Sequence, residues 1–395
     1  MRLGRIDGDL LAEPRVEIEA EGANGVVVTG TADFEGDATI RSAFECGALR
    51  ARDGRFRAEG PLTVHGELRA DDAKVEILGP LTAGDIEVDR SLSLRSAATA
   101  NAIEVGGSLE SDAALTFQRL QIGGHLRVRG PARGGRVEVG GLAELGPVEI
   151  EGLGVGGKAS VASGTVRGHV EVGGVFTAGG PFTFGDLEVG GLAEVGPGTG
   201  GGVEVGGRFR ATGPLSIGRL EVGGVAEVQG DLKALRIEVG GTLQVRGALA
   251  VSEGMEIGGT AKVTGDLDAG EVDVGGEVSA HLARVRGDAQ IGGSVQTEAG
   301  FKARRFELGK RGRATGPIVG EEVELNKGAD AGQVFGRVVR IGRDCEVEQI
   351  VGDDVEIGDD CQIGRVIYRT NLRAGRGVQF REPPQRADPL PPPPL

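Results

Sequence analysis

The chain has 395 residues, 74 of them Gly, with no Trp, one Tyr and a formal net charge of −15. So acidic a balance disfavours a general nucleic-acid binder, which needs a basic footprint, though it leaves room for local basic patches, and the scarcity of aromatics argues against an ordinary globular core built on large rings. Three widely spaced Cys do not make a secreted disulfide framework, and a hydrophobic content of 39% is too high for a disordered chain.

Residues 1–15, MRLGRIDGDLLAEPR, contain no apolar h-region, so no secretory signal is expected, and they read as a segment outside the repeat that follows. No stretch approaches 18 consecutive apolar residues, so no membrane-spanning helix is expected and the chain reads as cytoplasmic. From Val16 the sequence breaks into short apolar-x-apolar pieces: VEI at Val16, VVV at Val26, LTV at Leu62, LRA at Leu68, VEI at Val75 and LTA at Leu81. From Ile86 the rhythm becomes regular. Phrases of this kind start at Ile86, Ile103, Leu120, Val137, Leu153, Val170, Leu187, Val203, Leu220, Ile237, Met255, Val272, Ala289, Phe306, Val323, Val339 and Val355, every gap lying within one residue of 17.

The unit at Val203 shows the inner plan. VEV is followed by Gly206-Gly207, RFRAT by Gly213-Pro214, and LSI by Gly218-Arg219. Period-2 alternation reads as strand with one buried face, and Gly and Gly-Pro mark corners. Pro131, Pro147, Pro181, Pro197, Pro214 and Pro317 keep a constant phase, 10 or 11 residues after a unit start. Three short strands and three corners per 17 residues predict one triangular coil of a parallel β-helix, about 21 coils over residues 16–380, stacked at about 4.8 Å. Glycine suits the corners because it accepts positive φ or close approach between coils. Aromatic rings would not fit easily inside so thin a prism, which would account for their scarcity.

Chemistry is harder to find. No gap after Ile86 leaves a loop long enough to build a pocket, and His65, His125, His169 and His281 share no register. Catalysis, a metal and a cofactor are therefore not expected. Cys345 and Cys361 each stand six residues after a unit start, in adjacent coils, within reach of a disulfide; the same register holds Leu109, Leu126 and Phe176, with Leu142 one residue short of it, so a pair of stacked core thiols is the alternative. Glu171, Glu188, Glu204, Glu221, Glu238, Glu256 and Asp273 occupy one outward register in seven successive coils. This acidic stripe reads either as a surface for a basic partner or divalent cations, or as a solvated face paired with Arg208, Arg210 and Lys262. As a partner surface it would make the molecule a monomeric, nucleic-acid-mimic-like binding module.

Downstream, VIY at Val366 and VQF at Val378 look like the last coil, whose Val366, Tyr368, Val378 and Phe380 would form an end face. Residues 381–395, REPPQRADPLPPPPL, cannot join a sheet, since Pro lacks the donor. They read as an extended, disordered tail, either a docking peptide for a partner or a solubilising segment. A parallel β-helix exposes unpaired backbone groups at both ends, a template for another chain.

Phrases such as VEVGG, LTVHGEL and VEVGGRFRATGPLSIGRLEVGGVAEVQGDL, with VEIGDDCQIGRVIYRTNLRAGRGV towards the C-terminus, resemble the bactofilin family of polymer-forming cytoskeletal proteins. The resemblance covers nearly the whole repeat, although bactofilin cores are usually around a third of this length and no short N-terminal membrane tether is clear in MRLGRIDGDLL. It implies a right-handed triangular β-helix and nucleotide-independent, non-polar filaments. It also implies roles in cell shape or as a scaffold at the inner face of the membrane, with the chain's main partner being itself. An acyltransferase of the hexapeptide type is disfavoured, because that fold needs a strict six-residue period, a protruding loop and a catalytic His.

Overall fold

The computed structural model describes all 395 residues. It is an all-β parallel β-solenoid of about 23 turns of about 17 residues, without helix, and falls into two compact units, Met1–Gly196 and Pro197–Leu395.

In the first unit the ladder runs Ile103↔Leu120↔Val137↔Leu153↔Val170↔Leu187, each residue stacked on the one a turn earlier. All six are buried. In the second unit the same ladder runs Val203↔Leu220↔Ile237↔Met255↔Val272↔Ala289↔Phe306↔Val323↔Val339↔Val355 and continues to Leu372. Full burial of one such side chain is worth about 1.5–3 kcal/mol. Because each turn touches only its neighbours, that stabilisation is distributed nearly evenly along the repeat.

The Gly-Gly corners have a single physical cause. None of them has positive φ. Instead, the turns approach so closely that a Cβ on Gly124 would lie 2.6 Å from the carbonyl oxygen of Gly107, and one on Gly259 would lie 2.6 Å from that of Gly241. The glycine is required by the backbone carbonyl one turn before it, whichever residue carries it: Gly107 meets the carbonyl oxygen of Arg90 in the same way. The Gly-Pro corners work through hydrogen bonding. Pro131 and Pro317 present their carbonyls to the amides of Leu115 and Phe301 in the preceding turn, at 2.9 and 2.8 Å, and donate nothing themselves.

Four expectations need correction. The solenoid begins before Val16: Arg2–Leu3 pairs with Glu19–Ala20, Arg5–Ile6 with Val27–Val28, and Leu10–Ala12 with Ala32–Phe34. The 22-residue offset of the last two pairings conceals this turn from a 17-residue template. Phenylalanine does fit inside. Phe176 is fully buried because its ladder neighbours are Ala159 and Ala193, and Phe117 stacks on Gly134. Rings also cluster, with Phe176–Phe182 centroids at 5.5 Å and Phe301–Phe306 at 5.0 Å. Val366 is not at an edge, since it continues the buried ladder from Ile350; Leu372 starts the last coil. Finally, residues 381–395 are placed against the coils: Gln385–Arg386 pairs with Ile367–Tyr368, and Ala387, Leu390 and Leu395 pack on the outer face.

Candidate interaction surfaces

The structure places the acidic column as the alternation demands, on the outer face. In the first unit Glu171 stacks on Glu188. In the second, Glu204, Glu221, Glu238, Glu256 and Asp273 follow one another turn by turn. The cation that meets it is Arg219, two residues before Glu221. Arg219 reaches Glu221 at 2.7 Å and Glu238 at 3.5 Å. Beyond Glu238 the column runs through Glu256 and Asp273 along an open cleft of about 230 Å³, which Glu271 and Asp288 also border. Exposed like charges at this spacing repel by about 1 kcal/mol or less in water. In the first unit the same register carries Glu87 and Glu104. The Glu87 carboxyl is pushed up, first by burial and then by Glu67 and Glu104, against the opposite pull of Arg69.

The histidines are distributed singly. His65, His169 and His281 each face one carboxylate, Glu45, Asp186 and Asp266, at 2.9, 3.4 and 2.8 Å. His125 is exposed. No group of three or more His, Cys, Asp or Glu is arranged to hold a metal ion. All three Cys are buried free thiols. Burial pushes Cys46 up to about 12 and raises Cys345 and Cys361 as well. The last two donate to backbone carbonyls, Cys345 Sγ to Asn326 O at 3.2 Å and Cys361 Sγ to Gly342 O at 3.0 Å. They sit in the core as stacked thiols that bond to the turns, an environment that suppresses the reactive thiolate.

The outermost coils are covered on one side only. In the second unit Val378 and Phe380 are half-buried and Leu372 likewise, whereas Val355, Cys361 and Ile363, one turn before them, are at most 2% exposed. Tyr368 is half-buried beside the strand Gln385–Arg386. In the first unit Leu3, Ile6 and Leu10 are half-buried in the same way. The two coils differ in charge. Residues 362–386 carry six Arg against one Glu, and residues 1–21 carry six acids against three Arg.

A fourth surface escaped sequence reasoning. Val319, Phe335, Val351 and Ile367 form an apolar column on the outer face of the second unit, stacked turn on turn. Its signal is in the sequence. Ile318-Val319, Val334-Phe335, Ile350-Val351 and Val366-Ile367 are adjacent apolar pairs 16 residues apart. One member of each pair must point outward. The structure contains no helix long and apolar enough to cross a membrane. Comparison with known proteins finds no matching family model, no matching curated protein and no matching solved structure.

Proposed function

We propose that this chain is a structural scaffold protein that assembles end to end, without nucleotide, into filaments that shape the cell or hold partners in place. The observation that carries the reading is the half-covered ladder of the outermost coils. Leu372, Val378 and Phe380 on one, and Leu3, Ile6 and Leu10 on the other, are missing one of the two neighbours that bury every interior step. A coil from another copy would supply the absent neighbour, pairing the open strand edge and burying the apolar residues together. The repeat style shared with bactofilins points the same way. The charges favour one pairing over the others: the arginine-rich coil 362–386 is attracted to the acidic coil 1–21 of a second copy and repelled by its own kind. On this reading the filament is polar, unlike the non-polar filaments that the resemblance implies.

Negative-stain microscopy of the purified chain tests this. Filaments should form without nucleotide and be lost in the full chain carrying Val378→Asp and Phe380→Asp. A monodisperse monomer at all concentrations would overturn the proposal.

A further inference from the structure

The outward column that holds Val319, Phe335, Val351 and Ile367 is polar on either side. Towards the start of the second unit it continues as Lys302, Arg284 and Asp268, and after Ile367 it meets Gln385. It is apolar only in the four turns that the segment 387–395 crosses. That segment, ADPLPPPPL, begins where the Ala387 amide donates to Tyr368 O at 3.0 Å. It reaches back to Gly300, where a Cβ would lie 2.7 Å from Leu395 Cδ1. Eight residue steps of polyproline II cover about 25 Å, and four turns of solenoid cover about 19 Å, so an extended chain spans the column with little slack. Ala387, Leu390 and Leu395 make the apolar contacts, and Pro391 to Pro394 face outward. Leu395 and Val319 border an open groove of about 770 Å³ together with Lys302 and Arg284, the next residues of the column.

No hydrogen bond fastens residues 388–395 to the coils, so the segment is held by leucine anchors and by its tether alone. A short segment so attached leaves and returns readily, and the surface beneath it has the character of a proline-peptide groove, with one aromatic residue and aliphatic neighbours. We propose that the column Val319–Phe335–Val351–Ile367 is a binding site for an extended Leu-Pro peptide, and that it accepts residues 387–395 of a second copy in exchange for its own. Such an exchange joins copies side by side. It uses a different face from end-to-end stacking and does not depend on it.

The test is fluorescence anisotropy with a labelled peptide of residues 383–395 added to full-length chains. A chain carrying Leu390→Ser and Leu395→Ser, whose own segment has lost its anchors, should bind the peptide saturably. The unaltered chain should bind it at least about tenfold more weakly, because its tethered segment competes at high effective concentration. Adding Phe335→Ser and Val351→Ser to the anchor-free chain should abolish binding. A peptide with both leucines replaced by serine should not bind, which checks specificity even where the column variant is perturbed. Absence of peptide binding to the anchor-free chain, or binding indifferent to the column or to the peptide leucines, would overturn the proposal.

Discussion

Two stretches of the second unit share one interior and differ outside. Turns from Val203 to Ile291 and turns from Phe301 to Ile367 bury the same kind of ladder, step for step. In one and the same outward column the first stretch carries Ser216, Lys233, Ala250 and Asp268, and the second carries Val319, Phe335, Val351 and Ile367 under a proline-rich segment. The inward residues therefore specify the fold and say little about function. What a given turn can bind is written at the outward positions, which the stacking leaves free to vary.

The comparison can be broken most severely from the inside. Leu220→Ala removes a fully buried ladder step, and an expected loss of about 2–5 kcal/mol should appear as a lower denaturation midpoint with faster hydrogen exchange in the adjacent turns. Gly259→Ala should cost about 1–3 kcal/mol through overpacking against Gly241; Gly254→Ala, with nothing within 4 Å of its Cβ position, should be far milder under the same measurement. Substitutions outside should act locally. Phe335→Ser, at a side chain covered by the segment, should lower stability less than Leu220→Ala and accelerate exchange at the Ala387 amide, the first bond under the segment.

The smallest expected effect is electrostatic. Asp112 accepts from Arg95 at 2.6 Å and from Arg129, and these two guanidiniums, Arg95 first, hold its carboxyl below the usual 3.8. Its folded pKa is depressed, so its contribution is present above about pH 3.8 and is lost as the pH falls through the folded value. The melting difference between the unaltered chain and Asp112→Asn should accordingly shrink below that pH and stay constant above it.

How much of this was legible in the sequence follows from what each feature repeats. The ladder from Ile103 to Val355 was readable because stacking imposes one interval on it, and the glycine corners recur for the same reason. The turn at Arg2–Ala12 was not, because its partners lie 22 residues away at Val27 and Ala32. Leu372 and Val366 both open apolar-x-apolar phrases, and only pairing with Val355 marks Leu372 as the start of the last coil. The outer column was readable in principle, from four adjacent apolar pairs, but a search for alternation passes over residues that violate it. The composition of residues 381–395 says that they are extended; where they lie depends on Phe335 and Val351, which are distant in sequence.

The central claim is that the outermost coils seek another copy. Negative-stain microscopy of the purified full-length chain across a concentration series, without nucleotide, addresses it most directly. The account predicts unbranched filaments that lengthen with concentration and disappear with Val378→Asp and Phe380→Asp. Single particles of one size at every concentration would contradict it.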